Sequence, residues 1–135
     1  MQLAFCGATA TIISGAVAGR FKFSSYLIVS ACMTTFIYPI ASHWIWGGGW
    51  LAQLGIVDFA GTLAVHGIGG IAALTCAAWC GARSDKYDKN GKSREIKGHS
   101  ISLFGLGAIL LWFGWYGFNP GSELGFDNAA AWSAV

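Results

Sequence analysis

Four apolar runs, residues 3–18, 24–42, 58–81 and 101–118, alternate along the chain with short polar or glycine-rich stretches. A helix of about 20 apolar residues crosses the roughly 30 Å hydrocarbon core of a bilayer, so the pattern predicts membrane-spanning helices. The run from Leu3 to Ala18 is short for a span and is broken into small residues by Gly7, Ala8, Ala10, Ser14, Gly15 and Ala16. Small residues let helices approach closely in lipid, so this run is expected to pack inside a bundle. Residues 128–135 are again apolar and small and read as the start of a further span.

The connections carry their own signals. Tyr38, His43, Trp44, Trp46 and Trp50 cluster at the far end of the second span. Tyr and Trp favour the membrane–water boundary, which sets an interface there and makes a belt role the simplest reading of Trp44 and Trp50. Gly47-Gly48-Gly49 then releases the chain into a short loop. Residues 84–100 are polar, with Asn90-Gly91 as a turn signal, and Asn119, Pro120 and Gly121 are expected to end the fourth span.

Composition agrees with a membrane chain: 55% of the 135 residues are hydrophobic and 10% charged. Soluble domains carry about a quarter charged residues. No basic stretch is dense enough to suggest nucleic acid. Charge placement sets the orientation, because the eight basic residues fall into two clusters, Arg20 with Lys22 and then Arg83 to Lys97. The positive-inside rule puts loops 19–23 and 83–100 in the cytoplasm and loop 43–57 outside the cell. With no charged leader before the first apolar run, the chain reads as an internal piece of a longer protein, not as one opening on a signal peptide.

Ionisable residues inside apolar runs are the candidates for chemistry. A charged residue at a helix centre costs about 2.5–3.5 kcal/mol on insertion scales, so His66 inside the third run reads as functional. Asp58 opens that run, where a carboxylate accepts hydrogen bonds from unpaired backbone N–H groups and opposes the helix dipole. Eight helical residues would set His66 about 12 Å beyond Asp58. Thr62, His66, Gly70, Ala73 and Ala77 would then share a face of mostly small residues. Cys76 and Cys80 lie four apart, but no His or carboxylate is near them in sequence, so no metal site is expected. Cys6, Cys32, Cys76 and Cys80 all lie in apolar runs and do not read as a disulfide framework.

Three stretches, Ser-His-Trp-Ile-Trp-Gly-Gly-Gly-Trp (42–50), Asp-Phe-Ala-Gly-Thr-Leu-Ala-Val-His (58–66) and Gly-Phe-Asn-Pro-Gly-Ser (117–122), resemble successive motifs of the ammonium transporter family, which includes the Rhesus glycoproteins. The opening Gln-Leu-Ala-Phe and Ser-Gly-Ala-Val-Ala-Gly-Arg resemble that family's third membrane helix. The resemblance implies an all-α polytopic membrane helix bundle, a fragment of an eleven-helix fold built from two inverted five-helix repeats, with this chain standing for helices three to six. It implies a homotrimer of full-length subunits in the plasma membrane, each with its own pore for ammonium or ammonia. It implies no cofactor, no metal and no enzymatic reaction.

Site residues follow from the same resemblance. Trp46 matches the aromatic over an outer recruitment site for the cation, with Phe5 and the Ser122 hydroxyl as its partners. Phe5 and Phe118 match a stacked pair that gates the pore. His66 matches the first of two pore histidines that relay a proton; the second is expected beyond Val135. Asp58 matches a carboxylate that supports the site structurally. Met1 departs from the pattern, because the family commonly has an aromatic there. Two rivals remain: an ammonium sensor of the same fold, and a bis-histidine membrane haem protein, which needs a second histidine at the depth of His66 that neither His43 nor His99 supplies.

Overall fold

Backbone N–H and C=O groups in lipid have no water to bond, so a spanning segment must satisfy them within itself. The computed structural model describes residues 1–134, and there the apolar runs are helical: α1 (Gln2–Val17), α2 (Phe23–Cys32), α3 (Tyr38–Trp46), α4 (Trp50–Gln53), α5 (Ile68–Cys80), α6 (Ile101–Phe118) and α7 (Asn128–Trp132). Two π-helical segments join this series, Met33–Ile37 between α2 and α3 and Thr62–Gly67 leading into α5, and a 3-10 turn covers Pro120–Glu123. Three continuous stretches are long and apolar enough to cross a membrane: Phe23–Gln53, Thr62–Cys80 and Ile101–Glu123. α1 has 16 residues, about 24 Å of helix, and falls short of the bilayer core. The further span expected over 128–135 is represented by the short helix α7; Val135 lies outside the described residues.

Two boundaries differ from the sequence expectation. The second helix continues past Ser42 to Trp46, because the turn from His43 to Trp46 stays helical until the glycines, where the N–H groups of Gly47 and Gly49 both bond to the His43 carbonyl at 2.9 and 3.1 Å. The third helix starts at Thr62 and not at Asp58, since Gly61 adopts a left-handed conformation (φ +95°) and turns the chain just before it. The π segment at Met33–Ile37 lies just before Pro39. Proline has no N–H for the carbonyl four residues back and its ring collides with that group, and the wider turn accommodates both problems.

α1 is the centre of the packing. It lies along α5 and touches both π segments. Ala10, Ile13 and Val17 of α1 form one buried cluster with Met33 and Ala73, and Phe5 forms a second with Tyr38 and Val65. Close approach of α1 and α5 depends on Gly69: a Cβ there would stand 2.9 Å from the Thr9 carbonyl oxygen and 3.2 Å from Ile12 Cβ. The fully buried Thr9 satisfies its hydroxyl by donating to the Phe5 carbonyl at 2.8 Å. Tyr26 and Tyr38 tie the second helix to α1, donating to the Ala10 carbonyl (3.2 Å) and Gln2 Oε1 (2.5 Å).

One end of this pair is held by crossed arginines. Arg20, in the turn after α1, donates to the Ala16 carbonyl of that helix and to the Gly81 carbonyl beyond α5, while Arg83 Nε donates to the Ala18 carbonyl at 3.1 Å. Cationic donors at carbonyl-rich helix C-termini satisfy unpaired acceptors and the negative end of the dipole together. α6, by contrast, has no buried residue and meets the bundle through the aromatic rings at its C-terminal end.

Asp58 holds the other end of the third span. Its Oδ1 accepts the N–H groups of Gly61 (2.8 Å) and Thr62 (2.9 Å), and its Oδ2 those of Leu63 (2.9 Å) and Ala64 (2.8 Å). A helix start leaves four N–H groups unpaired, and this carboxylate takes four donors at once.

Two stability outcomes follow. Gly69→Val drives a side chain into the α1 backbone and should destabilise the whole protein by about 1–3 kcal/mol, as overpacking does. Thermal unfolding in detergent checks this, with Gly70→Ala, where a Cβ meets nothing within 4 Å, as the neutral partner. Asp58→Asn retains one side-chain acceptor oxygen and leaves half the capped N–H groups without a partner. It should cost about 1–3 kcal/mol and lower the midpoint in the same assay, whereas an unchanged midpoint would show that the cap contributes nothing.

Candidate functional site

The aromatic side chains singled out in the sequence come from four separate elements and meet in one series. Phe5, 3% exposed on α1, lies between Trp46 from the end of α3 and Phe118 from the end of α6. The centroid distances are 5.5 Å to Trp46 and 4.6 Å to Phe118, with ring planes tilted by 32° and 48°. Phe118 in turn meets His66 edge-on at 5.6 Å and 73°. The order in space is therefore Trp46, Phe5, Phe118, His66. Such contacts fill the space between the helices with apolar rings, while the quadrupole of an indole face attracts a cation by about 0.5–2 kcal/mol, depending on desolvation.

The segment 58–61 seats Trp46. The indole N–H donates to the Asp58 backbone carbonyl at 2.6 Å, and a Cβ on Gly61 would lie 3.3 Å from the indole Cη2 and 2.5 Å from Val65 Cγ2. Asp58 thus acts twice, capping the helix with its carboxylate and orienting Trp46 with its main chain.

His66 lies in the π segment, four residues after its start. The expected helical separation of eight residues from Asp58 is not realised, because residues 58–61 lie outside the helix and only the four steps from Thr62 are helical. Its Nδ1 is 3.3 Å from the Gly61 carbonyl, which already accepts the N–H groups of Val65 and His66, each at 2.9 Å. A neutral imidazole with its proton on Nδ1 donates to that carbonyl and keeps a lone pair on Nε2. The ring faces a cavity of about 210 Å³ lined by Ala60, Thr62, His66, Trp115, Phe118 and Asn119. That is room for a few molecules the size of water, each about 30 Å³ in the liquid.

The expected face of small residues around His66 is divided. Gly70 is exposed, whereas Ala73 is buried in the α1–α5 core. The change from π to α spacing at Ile68 rotates later residues relative to His66. Trp115, which the sequence reading did not select, packs against His66 at 5.4 Å and against Phe118 at 5.3 Å. Its spacing of three from Phe118 puts both on one helical face and is the signal that could have found it. α6 is apolar on every side, so its sequence does not say which face meets the histidine.

Ser122 lies one turn beyond Phe118, in the 3-10 turn, and its hydroxyl donates to the Phe118 carbonyl at 2.6 Å. With its proton so engaged, the Ser122 oxygen retains acceptor capacity. Met1 lies against the same turn, its Cε 3.6 Å from where a Cβ on Gly121 would stand. His43 and His99 are both exposed and neither lines the His66 cavity. Among the described residues all four cysteines are free, and no group of three His, Cys, Asp or Glu side chains converges.

Comparison with known proteins gives this geometry its setting. The profile of the Ammonium Transporter Family matches residues 1–135. A putative ammonium transporter of Synechocystis sp. is 51% identical over 95% of this chain and 29% of its own length. The ammonium transporter Amt2 of Archaeoglobus fulgidus is 46% identical, covering 91% of this chain and 28% of its own length. Ammonium transporter 1 member 2 of Oryza sativa is 49% identical, covering 91% and 27%. The chain thus spans less than a third of the length of these relatives. All-α, with three apolar helices of membrane length, and matched along its entire sequence, the chain belongs to the ammonium transporter family.

Proposed function

We propose that the whole protein carrying this chain moves ammonium or ammonia across the plasma membrane through a pore lined by the aromatic series. The observation that carries this reading is the unbroken contact of Trp46, Phe5, Phe118 and His66, ending on a small cavity, in a chain of the ammonium transporter family. An ammonium ion rests first against the Trp46 indole, beside Phe5, with the Ser122 oxygen accepting one of its N–H groups. The hydrogen-bond acceptor distinguishes ammonium from a bare potassium ion of similar charge, which has no proton to donate. Phe5 and Phe118 form the gate between this site and the His66 cavity, and they exclude a water file.

Beyond the gate, His66 handles the proton. Carrying a full charge through apolar protein is costly, and a neutral imidazole that accepts a proton at Nε2 lets ammonia continue uncharged. Asp58 does not meet the ion in this scheme; it holds Trp46 and the start of the His66 helix in register. The functional unit is a homotrimer of eleven-helix subunits, with loops 19–23 and 83–100 in the cytoplasm and loop 43–57 outside. This orientation is supported by the distribution of lysine and arginine.

Transport assays on the whole protein in cells lacking their own ammonium uptake test the two ends of the series. Trp46→Leu removes the cation–π contact and should lower uptake at limiting methylammonium by about 10- to 30-fold, for about 2 kcal/mol lost, with a smaller effect at saturation. His66→Ala should remove ammonium selectivity, so that uptake becomes sensitive to potassium or ceases. Normal assembly with wild-type uptake and ion preference in both variants would leave the aromatic series without a transport role.

A further inference from the structure

We infer that the connection between α5 and α6 is a docking surface for anionic phospholipid headgroups, formed by Lys86, Lys92 and Arg94 on one face of a short hairpin. The inference rests on the reading of α5 and α6 as membrane spans.

The hairpin is an ordered feature. Tyr87 pairs with Ser93 in an antiparallel bridge, the Asp88 N–H donates to the Lys92 carbonyl at 2.9 Å, and the Arg94 N–H donates to the Lys86 carbonyl at 2.7 Å. Gly91 closes the turn with φ +76°, its N–H donating to the Asp88 carbonyl at 3.0 Å. With Tyr87 opposite Ser93, Lys86 stands opposite Arg94 and Asp88 opposite Lys92. Alternate residues of a strand share a face, so Lys86, Asp88, Lys92 and Arg94 lie on one side and Tyr87 and Ser93 on the other. Cations separated in sequence are thereby gathered.

The carboxylate among them is occupied. Asp88 Oδ1 accepts the N–H groups of Asn90 and Lys92, each at 2.9 Å, which ties this carboxylate to the main chain of the hairpin and leaves three cations against one anion on that side. Lys92 and Arg94 are exposed, and Lys86 is half-buried with its ammonium 3.4 Å from the Arg94 carbonyl. A guanidinium and two ammonium groups carried on one side of a hairpin suit a phosphodiester, which offers several acceptor oxygens and a negative charge.

Placement selects lipid as the occupant. The connection leaves one membrane-length helix and enters another, and Arg83 is bonded to the Ala18 carbonyl at the end of α1. Lys86 is three residues beyond that anchor and so within about 10 Å of it along the chain. This is comparable with the roughly 8 Å Debye length at physiological salt, the range over which a headgroup layer attracts cations. Lys89 and Lys97 in the same connection are also exposed.

The test compares phosphatidylglycerol with phosphatidylcholine binding to the whole detergent-purified protein, by native mass spectrometry. The parent should prefer phosphatidylglycerol, and K86Q/K92Q/R94Q should reduce that preference by more than tenfold, at roughly fivefold for each cation removed. Lys22→Gln, a single cation outside the hairpin, should lower it by no more than the roughly fivefold of one charge. Because the turn is held by main chain and Asp88, the triple variant should elute and unfold like the parent. Parental phosphatidylglycerol preference in the triple variant would overturn the inference. Ammonium uptake measured in parallel separates the two readings: a parent that keeps the hairpin-dependent preference but transports nothing would support the headgroup surface and reject the transport role.

Discussion

A single carboxylate sets the geometry on which the rest of the site depends. Asp58 gathers the N–H groups of residues 61 to 64 into one charge-assisted cap, and its backbone carbonyl receives the Trp46 indole. Four unpaired donors at a helix start in an apolar setting would otherwise each carry a desolvation cost. Because the cap and the indole bond belong to one residue, the beginning of the His66 helix and the aromatic at the end of α3 cannot move independently. The left-handed Gly61 completes the constraint, since only a residue without Cβ fits between the Val65 side chain and the indole.

At the other end of the same helix, binding is made by different means. Arg20 and Arg83 cross between the C-termini of α1 and α5, each donating to main-chain carbonyls of the opposite element. Between the two ends, α1 and α5 approach until Gly69 meets the Thr9 carbonyl. The hydrophobic effect gives helices in lipid little reason to associate, so close packing over small residues has to supply the attraction. α1 is thus held at its C-terminal end and at its middle, although it is too short by itself to cross the bilayer core.

The aromatic series builds on that frame. Phe5 is presented by the most constrained helix and is buried, while Phe118 and Trp115 approach from α6, which contributes no buried residue of its own. His66 benefits from the π segment, whose wider turn brings the Gly61 carbonyl within reach of both Nδ1 and two main-chain N–H groups. Turns of this kind occur frequently at functional positions in helices.

Much of this was readable before any coordinates. Apolar runs separated by polar stretches specify the helices long enough to span, because the cost of burying charge in lipid acts locally and residue by residue. Trp46, Phe5, Phe118, Ser122, His66 and Asp58 were also identifiable as candidates, through the family resemblance of motifs whose spacing is a property of the chain. Distances between elements were not. The pairing of Phe5 with Phe118, more than a hundred residues apart, was suggested only by the family resemblance, Trp115 was invisible in a helix apolar on every side, and the displacement of the third helix start to Thr62 depended on how Gly61 and Asp58 fold together. Local sequence determined which segments enter the membrane and which side chains they carry. Tertiary structure alone decided which rings touch, because contact between helices is fixed by close packing at Gly69, the arginine crossing and the Asp58 cap, and none of these is encoded in the periodicity of a single segment.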